Sequence, residues 1–237
     1  MNATPVITFT TGSGTIAAGH IITITFNGTN KITNGSAGTT SLTINGSMPD
    51  SGVLSMAIVS NGVVAVSASV IGSITFTVSS NAIYFGNLRT GGPCFAQNTN
   101  PGNVTCPTTT ESEAFNMTAG TNAPSGYAVS VQGDTLTTTA GSGHSITALA
   151  SNTASTPGSE QFGMRITATG GSGTVTAPYA ASGYAYTGTT STAAQVASYT
   201  GPSATTTYSL RYLANIAALT PAGSYTTAHT YVATANF

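Results

Sequence analysis

Charge is what this chain most lacks. Lys and Arg total 4 and Asp and Glu total 5 over 237 residues, 4% of the chain, where a globular domain carries about 25%. Without a basic face nothing can neutralise a run of phosphates, so nucleic acid is not an expected partner. Tryptophan is absent and cysteine occurs twice. The good helix formers Lys, Glu and Leu are scarce, which argues against helices. No apolar run reaches the roughly 18 residues of a membrane-spanning helix. The longest apolar stretch, residues 53–70, is broken by Ser55, Ser60, Asn61 and Gly62.

What is present is threonine, about a fifth of the chain, with Ser, Gly, Asn and Ala close behind. Thr is β-branched and suits a half-exposed pleated surface. Hydrophobic residues reach 40%, mean hydropathy is +0.17, and the apolar residues alternate with Thr and Ser. That combination excludes a solvated coil. The expected fold class is all-β. A chain with so little charge has weak protection against association, so either sugars cover it or association is its purpose.

Strand patterns separated by turn signals run end to end. "PVITFTT", "HIITITFNG", "TTSLTING", "GVLSMAIVS" and "VVAVSASVIG" precede Gly72, the last two reading as a hairpin about Asn61-Gly62. This is fewer than the roughly seven strands of a complete immunoglobulin-like sandwich. After Gly72 come "SITFTVSS", "AIYFGNL", a cysteine loop, "SEAFNMTAG", "GYAVSVQG", "FGMRITATG", "YAYTG", "TTTYSLRYLANI" and "SYTTAHTYVATANF". Two sandwich units of immunoglobulin-like or jelly-roll-like type are expected, over 1–72 and 73–237, the first small and incomplete. Only "STAAQVASY" reads as a short helical turn. The closing segment reads as a central or near-central strand with Tyr225, Tyr231 and Phe237 on its buried face. It ends without a charged tail, and Met1 begins no signal-peptide pattern. An exported form would then be the mature chain.

An incomplete sandwich exposes an unpaired edge, which a strand from a neighbour can fill. The segment Val6, Ile7, Thr8, Phe9 and Thr10 is one donor, with Ile7 and Phe9 on one face. The alternative is that these residues are the first strand of their own domain.

The stretches "TPAGSYT" and "SGYAVSVQGDTLT", "QFGMRITATGGSGTV" and "YSLRYLANIAALTPAGSYTTAHTYVATANF" carry a resemblance. The closing strand resembles that of WxL-type cell-surface domains. Residues 73–237 resemble secreted, functionally uncharacterised β-sandwich proteins of candidate-phyla bacteria. "NKITNGSAGTTSLTI" resembles the end of an immunoglobulin-like module found in such proteins. The Trp-x-Leu wall-binding signature is missing, since the chain has no Trp. The resemblance implies an extracellular surface protein and no enzyme.

Cys94 and Cys106 lie in "GGPCFAQNTNPGNVTCP", a loop without His or carboxylate, so a disulfide stapling the loop is expected. It implies an oxidising compartment. Arg165 and Arg211 fall mid-strand. They are expected either on an open sheet face or in an ion pair with Glu160, Glu113 or a neighbouring subunit's carboxylate. Glu111 and Glu113 share a strand face and read as solvated carboxylates, an acid pair or Ca²⁺ site being the alternative. His20, His144 and His229 each stand alone among small residues. No nucleophile elbow, phosphate loop or His-x-x-x-His pair occurs, so neither catalysis nor a cofactor is expected. Tyr179, Tyr184, Tyr186, Tyr199, Tyr208 and Tyr212 read as core or interface residues, or as a platform for sugars. Asn-x-Ser/Thr triplets begin at Asn2, Asn27, Asn34, Asn45, Asn103 and Asn116, and covalent glycans would suit the low charge. The expected function is a homopolymeric structural subunit of an extracellular filament or surface layer. The alternative is an adhesin or glycan-binding module of a cell-surface protein.

Overall fold

The structure, a computed structural model, describes residues 8, 16–21, 23–25, 36–45, 51–60, 64–141 and 143–237. The chain divides into two compact units, Met1–Ala68 and Ser69–Phe237. Among the described residues every regular element is a strand. The all-β class follows from the β-branched, alternating sequence. Among the described residues no helix is long and apolar enough to cross a membrane.

In the first unit, β1 (Gly38–Ile44) pairs with β2 (Gly52–Ile58) as an antiparallel ribbon. Leu42 opposes Leu54, Thr40 opposes Met56 and Ile44 opposes Gly52. Alternation therefore puts Leu42, Ile44, Leu54 and Met56 on one face, and all four are exposed. Of the expected donor strand, Val6, Ile7, Phe9 and Thr10 lie outside the described residues, and Thr8 is exposed. The expected hairpin of β2 with residues 64–70 does not form. β2 pairs with β1, and residues 64–73 belong to no strand.

The second unit is built from two larger antiparallel sheets. The first holds β3 (Ile74–Val78), β4 (Cys94–Phe95), β5 (Phe115–Thr121), β9 (Gln161–Thr169) and β12 (Ser203–Asn215). β12 is its spine: β5 and β4 pair along one edge and β9 along the other, while β3 pairs with β5. The second sheet runs β10 (Thr174–Val175), β11 (Ala194–Tyr199), β6 (Tyr127–Gln132) and β14 (Thr230–Ala235). A small third sheet joins β7 (Thr137–Thr138) to β8 (His144–Ser145) and to β13 (Tyr225–Thr226).

Period-two burial explains why these segments are strands. Met117 and Ala119 of β5, Val129 and Val131 of β6, and Tyr208, Leu210 and Tyr212 of β12 all enter one cluster. Phe162, Met164 and Ile166 of β9 complete it, an arrangement that fits the expected sandwich. Each large side chain so buried contributes about 2 kcal/mol. Its polar tips find partners inside: the Tyr127 and Tyr208 hydroxyls lie 2.8 Å apart.

Two local expectations fail. "STAAQVASY" contains β11 instead of a helical turn, because β6 and β10 offer ladders on both its sides. A bulge between Gln195 and Ala197 lets the buried neighbours Val196 and Ala197 fit the sheet. The closing segment is an edge strand, not a central one. β14 pairs only with β6 among the described residues, and Phe237 is exposed. Tyr225 and Tyr231 are both partly buried against the core, Tyr231 on Phe115 and Tyr212.

Candidate functional site

A cleft of about 1130 Å³ opens in the second unit where β3 ends at Val78 and β14 begins near Tyr231. One wall is residues 80–88, backed by Asn100, Pro101 and Gly102; the other is residues 220–229. Phe115, Phe162 and Tyr212 form its floor. Ile83, Phe85, Leu88, Ile216 and Tyr231 are only partly covered and line it. No Lys, Arg, Asp or Glu side chain is among the lining residues.

The disulfide shapes the first wall. Cys94 and Cys106 are joined, with Cα atoms 5.0 Å apart, and both are buried. Cys94 sits on β4, held against Ala214 of β12. Cys106 N–H donates to the Asn87 carbonyl at 2.9 Å, and Asn87 N–H donates to Val104 at 2.9 Å. The covalent loop thus ties residues 86–88 to the sheet. Gly86 makes the turn at φ +67°, where an added Cβ would lie 2.3 Å from the Val104 carbonyl oxygen.

The floor carries a hydrogen-bonded aromatic network. His229 stacks on Tyr186 with ring centroids 4.6 Å apart. Its Nε2 lies 3.0 Å from the Asp134 carbonyl oxygen and its Nδ1 3.0 Å from the Tyr212 hydroxyl. A carbonyl only accepts, so Nε2 carries the proton and Nδ1 accepts from Tyr212. The Tyr231 hydroxyl then donates to that of Tyr212. Burial pushes the His229 pKa below its ordinary 6.5, against the opposing pull of the Asp134 carbonyl and charge. The ring is therefore neutral at pH 7, as this proton order requires. Burial likewise pushes the Tyr212 phenol well up, assisted by Tyr231.

The sheet's other notable cluster is ionic. Arg165 on β9 and Arg211 on β12 occupy opposite positions of the ladder. Glu111 meets Arg165 with both oxygens, Nε donating at 2.8 Å, and stands 3.9 Å from Arg211 Nε. Arg211 Nη1 also donates to Thr167 at 3.0 Å. The two arginines thus share a carboxylate of their own chain, and Glu111 is half-buried where the sequence read a solvated group. Glu160 is held by His144 at 2.7 Å and by the Thr220 hydroxyl at 2.5 Å. Burial opposes its ionisation, but these bonds and the His144 charge outweigh that and hold its carboxyl below the usual value.

Of the tyrosines that read as core or as a sugar platform, Tyr179, Tyr184, Tyr186, Tyr208 and Tyr212 are buried and Tyr199 is half-buried. They form no open platform. Of these six only Tyr212 lines the cleft, whose other aromatic residues are Tyr84, Phe85, Phe115, Phe162, Tyr225 and Tyr231. The segments "AIYFGNL" and "SYTTAHTY" read as strands, but nothing local in them shows that they face each other. Among the described residues no three His, Cys, Asp or Glu side chains gather as a metal site. The chain matches no protein-family model, no curated protein and no solved structure.

Proposed function

We propose that this chain is a non-enzymatic structural subunit of an extracellular filament or surface layer, assembling with copies of itself through β-sheet contacts such as strand donation. One observation carries the reading. The β1–β2 ribbon turns Leu42, Ile44, Leu54 and Met56 to solvent together. A monomeric soluble protein rarely leaves such a face open. With 4 basic and 5 acidic residues in the whole chain, little repulsion opposes stacking. The disulfide suits an oxidising, extracellular setting. The resemblance of residues 73–237 to secreted surface proteins supports the same location.

Light scattering and negative-stain electron microscopy of the purified chain test this. Concentration-dependent multimers or fibres are expected, weakened in a Leu42→Asp, Leu54→Asp double variant. A monodisperse monomer at every concentration overturns it. The uncharged, aromatic cleft favours the alternative, a glycan-binding surface module. That reading predicts a monomer retained by neutral polysaccharide.

A further inference from the structure

Residues 64–71 carry the sequence pattern of a strand but form none. Val64, Val66, Ala68 and Val70 alternate with Ala65, Ser67 and Ser69, the period of a half-buried strand. Yet the segment joins no sheet, and Val64, Val66, Val70 and Ile71 are each at least 85% exposed. A row of valines kept in water next to unmade backbone hydrogen bonds marks a segment built for another surface.

The cleft offers that surface. It is lined by partly covered apolar side chains and by uncharged Ser, Thr and Asn, with no charged residue, so it suits a neutral occupant that is apolar on one face and polar on the other. Beside it runs β14, whose outer edge has no partner among the described residues. Half of the N–H and C=O groups of an antiparallel edge strand point away from its one neighbour.

The attachment point of the segment and the cleft lie at opposite ends of β3. The segment departs at the start of β3, where Ile71 O accepts from Asn122 Nδ2 and Gly72 abuts the Phe237 ring. The cleft lies at the other end of β3, at Val78, roughly 20 Å of extended strand away. The residues that anchor the segment to the sandwich, Ile71 and Gly72, thus lie at the end of β3 remote from the cleft.

We infer that residues 64–71 of one copy lie in the cleft of the next and add to the free edge of β14. Valine side chains pack on Ile83, Phe85, Leu88 and Ile216 while backbone groups complete the ladder. A donor at one end and an acceptor at the other make a head-to-tail contact, which propagates as an open fibre unless a rotation closes it. The inference rests on the filament reading and names its joint.

The test uses engineered thiols, since both native cysteines are in the disulfide. Full-length Val66→Cys chains are mixed with Asn81→Cys or Ser224→Cys chains, which place a thiol in the cleft, and oxidised. Intermolecular dimers are expected with either partner and not with Ala181→Cys, an exposed position outside the cleft. Val66→Asp should abolish multimers while Ser67→Asp, on the opposite strand face, retains them. Multimers without cleft cross-links, or unaffected by Val66→Asp, overturn the joint and leave the filament reading intact. A chain that never multimerises overturns both. Protection of the Asn81→Cys thiol by a neutral oligosaccharide, with no cross-link to Val66→Cys, assigns the cleft to sugar and overturns the inference.

Discussion

Arg211 faces Arg165 directly across the β9–β12 ladder, and Glu111 bridges the two guanidinium groups. Like charges directly opposite on a sheet repel, so one carboxylate keeps this pairing favourable. Glu111→Gln leaves the shape and removes the charge. It should destabilise the second unit by about 2 kcal/mol, measured as a lower urea midpoint. Added salt should recover part of the loss in the variant by screening the arginines.

Reducing the Cys94–Cys106 bond, or replacing both with serine, frees a loop spanning 12 positions. A loss of roughly 3 kcal/mol is expected from closure entropy. Alkylation of the native, unreduced chain should label no thiol.

Gly86→Ala should deform the cleft. The left-handed turn and the Val104 carbonyl oxygen both oppose a Cβ there, and backbone strain of this kind costs about 1–3 kcal/mol. The expected outcome is a lower unfolding temperature, with hydrogen exchange rising first at the Asn87 and Cys106 amides that fasten this wall.

The pH profile should show two acid steps. The unfolded chain protonates His229 near its ordinary value of 6.5, the folded chain only at lower pH. Protons then favour the unfolded state, and stability falls as pH drops below 6.5 until the folded ring also titrates. Glu160 acts lower. Its contribution is complete above its ordinary 4.5 and is lost as pH falls through the depressed folded value. His229→Gln should be less stable at pH 7 and should lack the first step. Comparing denaturant midpoints of the two proteins from pH 7.5 to 3.5 measures it.

Fold class was legible because it resides in short-range pattern: alternation in "FNMTAGT" and "YAVSVQ" maps onto β5 and β6 and onto their buried positions. The disulfide was legible because its two cysteines share one loop. "STAAQVASY" misled because Ala and Gln favour helix locally, while the ladders that decide its state come from β6 and β10. The edge position of β14 was hidden for a related reason, since period two fixes which face is buried but not how many neighbours a strand has. Glu111 was separated from Arg165 by 54 positions and from Arg211 by more, so no spacing rule joined them. The cleft was least legible of all. Its walls, residues 80–88 and 220–229, meet only once both sheets are in place.

The core aromatics give the molecule an optical property. There are 10 tyrosines and no tryptophan, so phenol rings alone report the fold in ultraviolet light. Tyr127, Tyr179, Tyr186, Tyr208 and Tyr212 are fully buried, and burial pushes the Tyr186, Tyr208, Tyr212 and Tyr231 phenols up. In alkali the Tyr186, Tyr208, Tyr212 and Tyr231 phenols would stay dark at the phenolate wavelength while the fold holds. They would appear together only when the sandwich gives way, so a single absorbance trace would time its collapse without any attached dye.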